Sequence, residues 1–544
     1  MAPGREASKV VSATGGNGSR SARGFADTLA MSATPACPTT LIETDVSPRL
    51  TLRRDEPIPT FHLKGVRCYF VGIGGCGMSG LARLFRTRGA VVRGSDREQS
   101  ETTDLLAAEE IGVGFDQGVI PENIDLVVIS AAIGADHPQV REAASRGLPV
   151  MLYADALGKC MEGCSGVSVA GTHGKSTTTA MLGCALTDAG LDPSVIVGAT
   201  SRQLQRGSIH STLNDPSIGF RLGSARIAGG ARTGAPGVLV AEACEFNRSF
   251  HSHRPTIGSI SSVEADHLDC YTSIDEIIDS FRRFAALIPA HGKLFIAHDG
   301  AHRREVTAGI DCQVETIGFN PEADWVVGYE PGDRTVTVSH RREIVARWRN
   351  TTFGAHNAFN AATALAIGME LGGDPSVLAE SLSRFRGVDR RMQWLGDRPL
   401  GDGRSVRVYD DYGHHPTEID VTLRALRDAE RPQDRGGRII CVFQPHQHSR
   451  TRHLLEEFAG SFSQADVVIV PDIYFVRDSE AERFKVTAAD LVDRLREKGV
   501  QAMHLYPFGA IVEQLNHICK GDDLLLVMGA GPVWQVGRDY LASR

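Results

Sequence analysis

The chain of 544 residues contains no uninterrupted apolar stretch of about 18 residues, which excludes a membrane-spanning helix. It also lacks any long basic run. Its 58 Lys and Arg stand against 66 Asp and Glu, a net charge of −8, so the class of sequence-independent nucleic-acid binders loses weight. No CxxC pair occurs among the 11 scattered cysteines. Cys160 and Cys164 lie closest, and a zinc site there would need a second ligand pair that is not evident. Such usage fits reduced, mostly buried thiols in a cytosolic protein. Residues 1–60 have no sustained apolar period and are rich in Ala, Ser, Gly, Thr and Pro, so they are expected to form a disordered extension. That segment has no secretory apolar core either. Arg5, Arg20 and Arg23 among serines hint at a transit peptide, but Glu6 and Asp27 oppose it, and an unprocessed extension without function is the expectation.

What is present begins with Ala170-Gly171-Thr172-His173-Gly174-Lys175-Ser176-Thr177. An apolar strand with Val167 and Val169 precedes it, and a helix-forming run from Ser176 to Leu186 follows. Backbone N–H groups and a helix N-terminus then face an anion, Lys175 supplies a mobile charge, and the Ser176 hydroxyl can ligate Mg²⁺. The usual first glycine of this pattern is replaced by Val169, and Gly171 provides the flexibility instead. The sequence therefore predicts a site for a nucleoside triphosphate.

At this length roughly three or four domains are expected. Three α/β modules can be read in series. The first starts at the strand Val66–Val71, continues into Gly72-Ile73-Gly74-Gly75-Cys76-Gly77 and a helix over Ser79–Arg88, and reaches Ser95-Asp96 after a second strand. This is a GxGxxG turn with an acidic residue a little over 20 positions on, whose ligand could be NAD or another nucleotide diphosphate. The second module holds the phosphate loop and later strands at 237–241 and 256–260. Their ends carry Glu242, Glu245, Glu264, Asp266, His267 and Asp269, a set suited to Mg²⁺ with one imidazole, although Asp269 reads better as a helix cap. Glu242, which directly ends its strand, is expected to matter more than Glu245. The third module follows Arg390-Arg391, with strands at Val406–Tyr409, 438–443, Val467–Val470 and Leu524–Met528. Polar clusters at successive strand ends imply one shared cleft.

These motifs resemble the muramyl (Mur) ligase family over about residues 62–535. The carrying segments are Gly75-Cys76-Gly77-Met78-Ser79-Gly80, the phosphate loop, Ala241-Glu242-Ala243-Cys244-Glu245, Glu264-Ala265-Asp266-His267, Gly354-Ala355-His356-Asn357-Ala358-Phe359-Asn360, Asp410-Asp411-Tyr412-Gly413-His414-His415-Pro416-Thr417-Glu418 and Phe443-Gln444-Pro445-His446. The resemblance implies a Rossmann-like UDP-binding domain at 61–165, a central P-loop ATPase-type domain at 166–387 and a C-terminal Rossmann-like domain at 388–544. It implies that ATP activates the lactyl carboxylate of UDP-N-acetylmuramate as an acyl phosphate, which the amine of L-alanine then attacks, in the cytoplasm and with Mg²⁺.

Carried over residue by residue, Gly171, Thr172, His173, Gly174, Lys175, Ser176 and Thr177 hold the phosphates. Ser176, Glu242 and His267 hold metal. His356, Asn357 and Asn360 face the adenine, and Arg391, Asp410 and Asp411 reach ATP from the third domain. Gly74, Gly75, Cys76, Gly77, Met78, Ser79, Ser95 and Asp96 form the UDP-sugar site. Tyr412, His414 and Arg450 line the alanine pocket; His414, with an ordinary pKa near 6.5, helps deprotonate the ammonium, and Arg450 clamps the carboxylate. A rival role for Arg450 is a helix-stabilising pair with Glu456. The chain departs from the family pattern at Val119, Ser262, Gln447 and Pro532. Competing readings are a NAD-linked dehydrogenase, which leaves Lys175, Glu242 and His267 unexplained, a sister ligase adding a peptide or another amino acid, and a nucleotide-binding protein without turnover.

Overall fold

The computed structural model describes residues 61–267 and 270–543. The expected disordered extension lies outside them. Three separate sheets organise the rest.

The first comprises β1 (Arg67–Val71), β2 (Val91–Ser95), β3 (Gly112–Gly114), β4 (Leu126–Ile129) and β5 (Val150–Leu152), all parallel in the order β3-β2-β1-β4-β5. The order reverses between β1 and β4, and in open α/β sheets ligands gather beyond the strand ends at such a reversal. The Gly-rich turn follows β1 there. Its helix, Cys76–Thr87, buries Met78, Leu81, Leu84 and Phe85 and starts three residues earlier than expected.

The central sheet has ten strands: β6 (Ser165–Ala170), β7 (Ser194–Ser201), β8 (Ile218–Arg221), β9 (Val238–Glu242), β10 (Ile257–Ile260), β11 (Lys293–Ala297), β12 (Gln313–Gly318), β13 (Trp325–Glu330), β14 (Thr335–His340) and β15 (Glu343–Arg349). Every residue of β6 is buried, as a strand covered on both faces by helices requires. Its neighbours are β9 and β10, both parallel to it, so the loop after β6 opens between the ends that carry Glu242 and Ser261. The strands from β11 to β15 extend the sheet well beyond the two later strands predicted, and β13–β15 form an antiparallel edge.

The third sheet contains β16 (Gln393–Pro399), β17 (Ser405–Asp411), β18 (Ile439–Phe443), β19 (Val467–Val470), β20 (Gln501–His504) and β21 (Leu524–Met528), in the order β16-β17-β21-β18-β19-β20 with only β16 antiparallel. The ends of β17, β21 and β18 are therefore adjacent, which brings Asp411, Gly529 and Gln444 side by side. The expected cap Asp269 lies outside the described residues. The helix Ile274–Ala285 is capped by Ser273, whose hydroxyl accepts the Glu276 N–H at 3.3 Å.

Candidate active site

The phosphate loop owes its shape to two glycines. Gly171 and Gly174 have φ of 127° and 82°. A Cβ would come within 2.1 Å of Ser261 Oγ at the first and 2.6 Å of Asn360 Oδ1 at the second. The helix Lys175–Asp188 begins at Gly174 with no side-chain cap and no acid in its first turn, so its N–H groups stay available to an anion. Thr172 N donates to Ser262 O at 2.9 Å and His173 N to Ser262 Oγ at 3.0 Å, so Ser262 supports the loop directly. Lys175 Nζ donates to Gly171 O at 2.7 Å and Thr172 O at 3.0 Å and pairs with Glu245 at 2.9 Å.

A cavity of about 410 Å³ opens on this loop, a size in the usual range for small-molecule sites. Thr177, His356, Asn357 and Asn360 line it from the central domain, and Arg391 and Asp411 from the third. The structure thus brings together most of the predicted nucleotide residues. The helix Ala355–Glu370 is capped by Gly354, not by these side chains. Asn357 Nδ2 donates to Phe353 O at 2.8 Å, Asn360 Nδ2 donates to Asn357 Oδ1 at 3.3 Å, and burial lowers His356 to about 4, so its ring is neutral. Asp410 does not line the cavity. It is buried and accepts from Arg390 Nε at 3.1 Å, whereas Asp411 does line the cavity. Burial raises Asp411 to about 6, against the opposing charge of Arg391. Sequence reasoning missed the wall made by Asp299, Gly318 and Phe319, because β11 and β12 were not recognised. Phe319, an exposed aromatic beyond a strand end, was the available signal.

Hard oxygen donors meet where Ser176 Oγ donates to Glu242 Oε1 at 3.0 Å, and Glu242 Oε2 accepts the Gly198 N–H at 2.7 Å. His267 was expected to share a cation with Glu242. Its Nε2 instead faces Glu245 Oε1 at 3.9 Å and Asp266 Oδ2 at 3.8 Å, while its buried Nδ1 has no hydrogen-bond partner. Glu245 is correspondingly not peripheral: it is buried, neutralises Lys175 and lies 3.9 Å from that imidazole. The donors on Ser176 and Glu242 fit a divalent cation at the phosphate loop, and the unpartnered His267 nitrogen fits a second.

A further set spans two domains. His173 lies between Glu264 at 3.4 Å and Glu418 at 3.3 Å, with its ring 4.9 Å from that of His415. Burial alone would lower its pKa, but the two carboxylates overcome that and raise it to about 9. His173 is therefore an imidazolium bridge between the loop and the third domain, a role the predicted phosphate contact did not include. Thr417 Oγ1 donates to Glu264 Oε2 at 2.6 Å, His415 Nε2 lies 3.2 Å from Ala265 O, and Arg450 Nη2 donates to Asp266 Oδ1 at 2.5 Å. A group held above its ordinary pKa stabilises fully below that value and loses its contribution as pH rises through the folded value. The melting temperature of the ligand-free protein is accordingly expected to fall between pH 7 and 9.5, and His173→Gln to flatten that fall. An unchanged fall in the variant would assign it to another group.

Beyond this interface, Tyr412, His414 and His446 form a wall with ring centroids 5.5 and 5.4 Å apart. Burial, and then the charge of Arg450, lower His414 to about 4. It is therefore neutral at physiological pH and a weaker base than an ordinary imidazole, which lessens the driving force for the proton-accepting role expected of it. Arg450 is buried and paired with Asp266, whereas Glu456 pairs with Arg494 at 3.3 Å. Neither predicted role for Arg450 accounts for that pairing, because its charge is spent across the domain interface.

In the first domain, Gly74 N donates to Asp96 Oδ2 at 2.7 Å, and a Cβ on Gly77 would meet Tyr153 Oη at 2.6 Å. Gly74, Gly75, Cys76, Gly77 and Asp96 border the turn. Met78 is in the core, Ser79 Oγ donates to Cys76 O at 3.0 Å, and Ser95 Oγ donates to Gln139 at 2.7 Å. These last three, predicted as contacts to a ligand, brace the turn from inside. Cys76 is half-buried, and burial beside Glu242 raises its thiol to about 11. The two nucleotide turns are thus near neighbours.

Comparison with known proteins agrees with this arrangement. Three family models match in succession: the Mur ligase family catalytic domain at residues 67–164, the Mur ligase middle domain at 169–368 and the Mur ligase glutamate ligase domain at 390–531. The UDP-N-acetylmuramate–L-alanine ligase of Geobacter sp. strain M21 is 37% identical over 484 residues, 87% of this chain and 97% of that protein. The enzyme of that name from Caldanaerobacter subterraneus subsp. tengcongensis is 35% identical over 483 residues, with 87% and 97% covered. The UDP-N-acetylmuramate-alanine ligase MurC from Thermotoga maritima, 22% identical, shares the fold with a TM-score of 0.67 over 88% of this chain and 98% of that one. The chain belongs to the Mur ligase family.

Proposed function

We propose that this chain joins L-alanine to the lactyl carboxylate of UDP-N-acetylmuramate at the expense of ATP, in peptidoglycan precursor synthesis. The observation that carries the reading is the shared cavity: the phosphate loop and Arg391 with Asp411 of the third domain line one space, closed by the His173 and Arg450 bridges. A carboxylate is a poor electrophile. Transfer of the γ-phosphoryl group to one of its oxygens releases ADP and leaves an acyl phosphate. The alanine amine attacks the carbonyl carbon, and phosphate departs with that carboxylate oxygen.

The protein's part is positioning, charge neutralisation and exclusion of water. Lys175 and the loop N–H groups neutralise the transferring phosphoryl group, and His356, Asn357 and Asn360 orient the base. The turn around Gly74–Gly77 with Asp96 holds the nucleotide sugar. Ser176 with Glu242, and separately His267, would hold Mg²⁺, which offsets phosphate charge. We set the domain limits at 61–165, 166–387 and 388–544. We assign the reaction to the cytoplasm from its nucleotide substrates. Among the described residues no helix is long and apolar enough to cross a membrane.

Release of ADP with UDP-N-acetylmuramate is expected with L-alanine well above glycine, L-serine or a tripeptide, and only with Mg²⁺. Preference for the tripeptide would favour the sister-ligase reading, and no release at all the protein without turnover. With ¹⁸O in the lactyl carboxylate, one label is expected in the released phosphate; unlabelled phosphate would exclude the acyl phosphate.

A further inference from the structure

We propose that Arg477 receives the carboxylate of the incoming amino acid and so sets the enzyme's requirement for a free α-carboxylate. The inference rests on the ligation reading above.

The wall formed by Tyr412, His414 and His446 carries no free positive charge of its own. A carboxylate bound there needs a cation. His414 and His446 do not supply one, since burial leaves them at about 4 and about 2. Arg450 is cationic, but its guanidinium is buried against Asp266 at 2.5 Å, and the pair is neutral overall. Arg477 differs. It lies on the segment after β19, is exposed, and among the described residues no carboxylate stands within ion-pair distance of it. Its charge is nevertheless felt at His446, whose pKa it helps to depress.

The segment bearing Arg477 is fixed rather than free to swing. Tyr474 N donates to Pro445 O at 2.9 Å and Gln447 N to Tyr474 O at 3.1 Å, and the Tyr474 ring lies 5.7 Å from His446. Asp478 accepts the N–H groups of His448 and Ser449 and the Ser449 hydroxyl, so its charge is directed into the start of the helix His448–His453 and away from its neighbour. Arg477 itself has a φ of 58°, a conformation that costs energy in a residue other than glycine and that recurs at ligand clamps. Its guanidinium carbon lies 4.7 Å over the ring of Phe246, and that ring meets His267 at 5.3 Å. Phe246 is the residue after Glu245, which neutralises Lys175. The result is an uncompensated, planar, five-donor cation, held on an aromatic platform between the third-domain wall and the phosphate loop.

The test is steady-state ADP release by the full-length enzyme with Arg477→Ala and Arg477→Lys. KM for L-alanine is expected to rise at least ~10-fold in the alanine variant and less in the lysine variant, with the melting temperature unchanged and the KM values for ATP and UDP-N-acetylmuramate within about twofold of wild type. L-Alaninamide, which has no carboxylate, supplies the second measurement. The wild type is expected to prefer L-alanine strongly, and Arg477→Ala to bring the two acceptors close together. A rise in KM for UDP-N-acetylmuramate instead, or an unchanged preference for L-alanine over its amide, would overturn the assignment. Failure of the wild type to release ADP with L-alanine would refute the ligation reading itself, a separate outcome.

Discussion

Lys175→Ala is expected to lower kcat at least ~10²-fold, the scale for removing a preorganised charge that stabilises a transition state. The ammonium is held by two loop carbonyls and Glu245, and Lys175 lines the cavity on the phosphate loop. Binding of UDP-N-acetylmuramate, read by calorimetry, is expected to persist, because the proposed site for its nucleotide is the Gly74–Gly77 turn of the first domain. A loss of that binding as deep as the loss of turnover would mean that the two sites are not separable. The substitution also leaves Glu245 buried without its counter-charge, so stability must be measured alongside. Lys175→Ala combined with Glu245→Gln relieves that burial; if it regains thermal stability but not turnover, the catalytic loss belongs to the missing cation.

The second large effect is expected at the domain interface. Arg450 and Asp266 are 184 positions apart, both buried, and joined at 2.5 Å. Arg450 holds the Asp266 carboxyl far below the usual range, overcoming the burial that would raise it. Removing one partner of such a pair typically costs about 3–5 kcal/mol, because the other charge stays buried and unpaired. Asp266→Ala is expected to lower the melting temperature markedly, enlarge the radius of gyration as the third domain leaves the central one, and reduce kcat at least ~10-fold. Asp266→Leu with Arg450→Met, which removes both charges, is expected to recover much of the stability. If the double variant melts as low as the single one, packing rather than an uncompensated charge explains the loss.

Much of the fold was legible because buried parallel strands read as short apolar runs and their ends as polar clusters. β19 and β21 fall at the predicted limits, Glu242 and Asp411 end their strands, and Lys175 opens the helix after the loop that follows β6. The strands from β13 to β15 were missed for a physical reason. They form an exposed antiparallel edge in which arginines at 341, 342, 347 and 349 interrupt the apolar alternation. Within the site, residue type and strand-end position were enough to select His173, His414 and Arg450, but not to say what each does. From the sequence His173 belongs to the phosphate loop, and in the structure it also reaches Glu418; the His414 imidazole lies well below its ordinary pKa; and the Arg450 guanidinium meets Asp266.

That division follows from the range of the forces involved. Local sequence determined the glycines at 171 and 174, the open helix N-terminus behind them, and the apolar strands that carry acids at their ends, since backbone conformation and burial period depend on near neighbours. Only the tertiary structure decided which carboxylate faces Lys175, which domain His173 joins, and that Arg477 is left without a counter-charge among the described residues. Charge pairing and desolvation depend on groups hundreds of positions apart in the chain, and nothing in the sequence around either partner records where the other will be.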